Sequence, residues 1–275
     1  MDTIRAAMAK LEPLHQKLGP PKPGDWLAAF HEAGQTFDEY RACKPTGPTQ
    51  SRRTIYVQPL GAFTQKQREV ILLSADFMGR YFGLPVKVQD DLPLSLIPKH
   101  ARRGHELTDN EQIRTGYVLQ EVLRPRLPRD AVAYIAFTTS DLWPGPGWNF
   151  VFGEASLRDR VGVWSIRRYG SPEGDKGAFQ RCLLRTIKTA THETGHMFSM
   201  QHCTAYECNM CGSNSLEESD RQPLACCPEC VAKLWWITGA EPVARYRKLA
   251  EFCKEQGLGP ERVFYEKCIK ALEGG

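Results

Sequence analysis

The sequence predicts an α/β (α+β) fold, a sheet carrying one long helix, with helical segments before and after it. Three observations lead there. Strand-like and helix-like runs alternate from Thr54 to Phe198, the run Ala131 to Phe137 is nearly all apolar, and regular periodicity stops between Cys203 and Pro228. Alternation marks an α/β layer, an all-apolar run is what a strand buried on both faces requires, and a long aperiodic stretch marks a functional or metal-organised segment.

Residues 1–50 read as helices between Pro/Gly breaks: Thr3 to Lys17, the loop Gly19 to Gly24, then Asp25 to Ala33 with Asp25 as N-cap. Thr54 to Pro59 has the β-branched and aromatic density of a strand, and Thr64 to Phe82 sets Val70, Leu73, Phe77 and Tyr81 at helical spacing. Leu84 to Val88 gives a second strand, Asn110 to Leu123 a helix stopped near Pro125 and Pro128, and Ala131 to Phe137 the centre of the sheet. Beyond Pro144-Gly145-Pro146-Gly147, Asn149 to Phe152 and Val161 to Ile166 are strand candidates near a sheet edge. Gly177 to Phe198 carries Phe179, Leu183, Ile187 and Ala190 on one face of a long amphipathic helix. Helices from Pro228 to Ile237, Pro242 to Glu255 and Pro260 to Leu272 follow. The organisation is an N-terminal helical extension over 1–50, a sheet-and-helix part over 51–202 and a cysteine-rich helical part over 203–275.

A chain of 275 residues can bury one large core or two modest ones. Hydrophobic residues at 41% and charged residues at 25% argue against disorder and fibrous architectures. A net charge of +4 is too weak for a dedicated nucleic-acid binder. The densest basic run, Lys99 to His105, reads with Arg52-Arg53 and Arg167-Arg168 as solvated surface or loop. No stretch approaches the apolar length of a membrane span, and Met1 to Gly19 lacks the apolar core and cleavage site of a signal peptide. The expectation is a cytoplasmic protein with no membrane partner. Thiols stay reduced there, so clustered cysteines point to metal rather than disulfides. Six of the ten cysteines fall between Cys203 and Cys230, while Cys43, Cys182, Cys253 and Cys268 are scattered and read as buried small hydrophobes.

His192-Glu193-Thr194-Gly195-His196 is an HExxH on the long helix, so its histidines lie one turn apart on one face and can reach a single ion. His202 stands six residues beyond His196, where a straight helix cannot present it, so the chain must turn sharply after residue 199. Three neutral imidazoles leave a fourth position open, which is the catalytic pattern of zinc ligation. Zinc held there lowers the pKa of its bound water and polarises the scissile carbonyl, while Glu193 takes the water proton and passes it to the leaving amine. The expected activity is zinc-dependent hydrolysis of a peptide or protein. Downstream, Cys208-Asn-Met-Cys211 and Cys227-Pro-Glu-Cys230 form two Cys-x-x-Cys knuckles, and spacing alone selects those four for a second ion.

From His192 to Leu234 the chain resembles the archaemetzincins, metzincin metallopeptidases with a three-histidine catalytic zinc, a Met-turn and a second zinc on four cysteines. The likeness extends upstream through Asn149 to Ser156 and Arg168-Tyr169-Gly170, with none seen over 1–50. It implies a metzincin-like mixed twisted sheet with an active-site helix, a small zinc-stabilised helical part after it, and two zinc ions per chain. Position by position, it implies His192, His196 and His202 as catalytic-zinc ligands, Glu193 as acid and base, and Met210 as the Met-turn residue. For the structural zinc it implies Cys203, Cys208, Cys227 and Cys230, leaving out Cys211 and Cys226. The substrate is expected to add as an antiparallel strand to the edge from Asn149, Phe150 and Val151 to Ser156, with Tyr169 and Arg168 either facing the oxyanion or a substrate terminus or serving ordinary structural roles.

Two departures stand out. Ser199 occupies a position that is glycine in the family, and some metzincins have a tyrosine where this chain has Gly212. Serine in a left-handed turn costs roughly 1 kcal/mol. Both departures favour a rival reading, a zinc-stabilised peptide- or protein-binding protein with little proteolysis. Glu193, which zinc binding does not require, favours the enzyme.

Overall fold

The computed structural model describes residues 2–104 and 111–274. The elements begin with α1 (Asp2–Leu11), α2 (Trp26–Ala29), α3 (Phe37–Ala42), β1 (Thr54–Leu60), α4 (Gln65–Phe82), β2 (Val86–Val88), β3 (Arg102–Gly104) and β4 (Glu111–Arg114). They continue with α5 (Thr115–Tyr117), which runs on through a π-helical stretch Val118–Leu123, then β5 (Ala131–Thr138), β6 (Asp141–Trp143), β7 (Gly153–Ser156) and β8 (Val161–Ser165). The last are α6 (Lys176–Met197), α7 (Leu216–Arg221), α8 (Pro228–Thr238), α9 (Pro242–Glu255) and α10 (Gly259–Glu273). They group by contact into two compact units, residues 48–79 with 84–197, and residues 1–47 with 80–83 and 198–275.

The first unit holds a five-stranded sheet in the order β2-β1-β5-β8-β7. Its sheet is mixed: β2, β1, β5 and β8 run parallel, and β7 closes one edge antiparallel to β8. Every residue of β1 and of β5 is buried, as the apolar run 131–137 requires of central strands. Tyr56, Tyr134, Ala136, Val161 and Val163 form one core with Val118, Leu119, Val122 and Leu123 of the π-helical stretch. The helix α6 lies against β7 and β8. It buries Cys182, Leu183, Thr186, Ile187, Ala190 and Thr191, and Asp175 accepts the Ala178 N–H at 2.8 Å to start it.

In the second unit α1 packs on α8 and α10, α3 on α8, and α9 on α10. Cys227 stands at the N-cap of α8 with Pro228 in the first turn, and Glu241 caps α9 by accepting the N–H groups of Val243 and Ala244.

Several expectations are corrected. The first helix ends at Leu11 rather than Lys17, because Pro13 enters a tight turn over Glu12–Leu14. Asp25 precedes α2 but makes no cap bond, spending its carboxylate on Lys22 N and Arg221. The helix Phe37–Ala42 went unforeseen, although Thr36 and Glu39 form a reciprocal capping box legible as Thr-x-x-Glu. Glu111–Arg114, expected as helix, is strand β4 in a second sheet of order β3-β4-β6, with Gln112 and Ile113 buried. Asn110, its expected start, lies outside the described residues, as does His105 of the basic run.

Asn149 to Phe152 is not a strand either. The Asn149 carbonyl accepts from Gln112 Nε2 and Arg103, each at 3.0 Å, and Val151 N–H reaches Leu142 O, so the strand starts only at Gly153. Of the basic residues, Arg53, Lys99, His100 and Arg167 are exposed as expected, whereas three others are engaged in the fold. Arg102 bonds Ile97 O and Glu111, Arg103 lies 4.1 Å over the Trp143 ring, and Arg168 pairs with buried Asp141. Cys43 is exposed rather than buried, at the C-cap of α3. Among the described residues no helix is long and apolar enough to cross a membrane.

Candidate metal centres

The last turns of α6 carry His192 and His196 on one face, with their Nε2 atoms 3.0 Å apart. The helix stops at Met197, and Ser199 takes a left-handed backbone with φ 65°. That reversal brings His202 round, and one ring nitrogen from each of His192, His196 and His202 lies within 4.8 Å of the others. All three are half-buried.

The turn is heavily braced. Tyr40 donates to Phe198 O at 2.7 Å, Thr46 N–H to Ser199 Oγ at 3.0 Å, and Gln201 N–H to Gln35 Oε1 at 3.2 Å. The serine thus makes a contact that glycine cannot. Ser199→Gly relieves roughly 1 kcal/mol of left-handed strain but loses a hydrogen bond worth about the same and gains unfolded-state freedom. The expected result is near-neutral stability for Ser199→Gly and a loss of about 0.5–1.5 kcal/mol for Ser199→Ala, which keeps the strain and drops the bond. Thermal melting of both variants checks this.

His202 itself faces the carboxylate of Glu32, with Nδ1 2.9 and 3.0 Å from its two oxygens. The Trp26 ring meets the imidazole edge-on at a centroid distance of 5.1 Å. A side chain at Gly212 would begin 2.5 Å from Trp26 Cδ1, so glycine is required there by the close approach of the indole. Neither Glu32 nor Trp26 was singled out from the sequence; no local pattern links residues 170 positions apart.

Tyr169 is fully buried and donates to Thr189 Oγ1 at 2.6 Å, one turn before Glu193 on α6. Burial raises its phenol above the ordinary range, and the Glu193 charge pushes the same way, so it stays protonated. Arg168 binds both oxygens of Asp141, at 2.8 and 2.6 Å, and lies 3.5 Å over the Phe150 ring. Burial works against the Asp141 carboxylate, yet the bonds from Arg168 and Gln112 hold its pKa below the ordinary range.

The sulfurs of Cys203, Cys208, Cys227 and Cys230 lie within 4.8 Å of one another, all buried. Cys208 Sγ accepts the N–H groups of Met210 and Cys227 at 3.4 and 3.2 Å, as knuckle thiolates do. Neighbouring thiols, Cys208 foremost, hold Cys203 far below the ordinary thiol range, while burial pushes Cys208 well above it. Cys211 also lies beside the Cys203 thiol but donates to Tyr206 O at 3.2 Å, and Cys226 lies 2.9 Å from the Tyr81 hydroxyl. Met210 is buried, and its carbonyl accepts the Cys203 N–H at 2.7 Å.

The His-x-x-x-His…His triad and the four-cysteine cluster are both zinc-type donor sets, and an HExxH helix with a third histidine six residues on is the constellation of a metallopeptidase. The profile of Peptidase family M54 matches residues 130–235. Archaemetzincin-2 from Homo sapiens is 35% identical over 280 residues, an alignment covering 89% of this chain and 77% of that protein. The crystal structure of archaemetzincin from Methanopyrus kandleri is 28% identical, with a TM-score of 0.53 over 70% of this chain and 99% of that one. A zinc-dependent peptidase from Methanocorpusculum labreanum, 22% identical, shares the fold with a TM-score of 0.51 over 66% of this chain and 99% of its own. The chain belongs to the archaemetzincin family of zinc metallopeptidases.

Proposed function

We propose that the chain hydrolyses peptide bonds with two zinc ions, one held by His192, His196 and His202 and one by Cys203, Cys208, Cys227 and Cys230. Ligand spacing supports both. A tetrahedral zinc with sulfur at about 2.3 Å sets its ligands about 3.8 Å apart, and with nitrogen at about 2.05 Å about 3.3 Å apart. Cys203 and Cys227 Sγ are 3.7 Å apart, and His192 and His196 Nε2 3.0 Å. The observation that carries the reading is Glu193, a carboxylate that follows the first of three clustered histidines on α6 and belongs to neither ligand set.

When bound, the histidine-held zinc supplies a Lewis acid to the scissile carbonyl and a lowered pKa to water. Glu193 accepts the proton of the attacking water and delivers it to the leaving amine, acting first as base and then as acid. Tyr169, held protonated on Thr189, supports the helix face that carries Glu193. Arg168, engaged with Asp141, holds Phe150 in place. The substrate adds antiparallel to the outer side of edge strand β7, where main-chain pairing accommodates extended peptides, with Asn149, Phe150 and Val151 flanking the strand's start and contributing side chains rather than pairing. Met210 is the Met-turn residue, and Cys211 and Cys226 stay off the metal. Ten unpaired cysteines support a reducing, cytoplasmic location.

Digestion of a peptide library by the zinc-loaded protein, read by mass spectrometry, tests this. Cleavage that stops on chelation and returns with zinc is expected. A protein that holds both ions and cleaves nothing is the binding protein instead.

A further inference from the structure

We infer that residues 26–46 form a built-in positioning device for the third histidine, in which Glu32 fixes the tautomer and direction of His202. The inference rests on the zinc reading above. The segment delivering His202 has no regular structure of its own from Gln201 to Thr204. Its shape comes from residues 26–46 instead. Tyr40 and Gln35 take up the backbone at 198, 199 and 201, Thr46 N–H takes the Ser199 hydroxyl, and Thr204 Oγ1 donates to Ala33 O at 3.3 Å. Together these clamp both sides of the histidine. This stretch lies wholly before the part of the chain that the family profile matches.

Glu32 does what the other contacts cannot. A neutral imidazole carries one N–H, and an ionised carboxylate only accepts, so the pair at 2.9 Å places the proton on Nδ1. That leaves the Nε2 lone pair for metal, matching the Nε2 atoms that His192 and His196 turn toward each other. The negative carboxylate also strengthens the donor nitrogen. Trp26, edge-on to the ring, blocks rotation away from this pose.

Graded removal of zinc from the zinc-loaded full chain by a chromophoric chelator tests the device, because it reads each ion's affinity without reference to catalysis. In Glu32→Ala the histidine-held ion should bind about 10- to 100-fold more weakly, with the cysteine-held ion unchanged. Glu32→Gln keeps an oxygen acceptor for Nδ1–H and should recover part of that loss, which a purely steric role would not predict. An affinity within about twofold of wild type in Glu32→Ala overturns the inference, as does a loss accompanied by a lower melting temperature of protein that holds only the cysteine-held ion. Wild-type protein that itself binds zinc only at the cysteines would instead overturn the functional reading, and this inference with it.

Discussion

Replacing Glu193 by alanine is expected to lower peptide hydrolysis by about 10²- to 10⁴-fold while leaving two zinc ions and an unchanged melting temperature. The side chain is half-buried beside the metal-ligand face of α6, and it belongs to neither ligand set. Its removal takes away proton transfer alone. His196→Ala should behave differently, losing one of the two ions together with activity, because it removes a ligand. Initial rates on a cleaved peptide, with metal content by elemental analysis of the same samples, separate the two variants. Undiminished cleavage by Glu193→Ala would sink the general-base assignment.

The second large effect concerns the cysteines. Cys203→Ser is expected to lose one zinc per chain and to melt far below wild type, since structural zinc binding is itself folding free energy, with apparent values of about 10–16 kcal/mol in small zinc modules at neutral pH. Cys211→Ser should keep both ions and cost only about 0.5–1.5 kcal/mol, the worth of its bond to Tyr206 O. If Cys203→Ser cannot be produced folded, chelator stripping of wild type followed by zinc return gives the same comparison against Cys211→Ser. The reverse pattern, with Cys211 needed and Cys203 dispensable, would move the ion to the two Cys-x-x-Cys knuckles.

Legibility of the fold followed how local its causes are. The all-apolar run of β5 and the amphipathic spacing of α6 are properties of a few consecutive residues, and both elements stand where their residues place them. The segment expected as helix over 110–123 is helical from Thr115 to Leu123 and failed only over Glu111–Arg114, where Gln112 and Ile113 are drawn into a sheet by the distant β6. Asn149 to Phe152 failed as a strand for a similar reason, its carbonyl taken by Arg103 and Gln112. The clustering of the three histidines was readable because the last two stand six positions apart. Glu32 was not, because its meaning depends on a partner 170 residues away.

The fit of Trp26 against Gly212 leaves a mark on which sequences are allowed. The indole occupies the volume that any side chain at 212 would need, tyrosine included. A bulky aromatic arriving from the N-terminal segment and one growing from position 212 therefore exclude each other. Positions 26 and 212 should be inherited as a pair, with glycine at 212 wherever the tryptophan is kept and a smaller residue at 26 wherever 212 has grown.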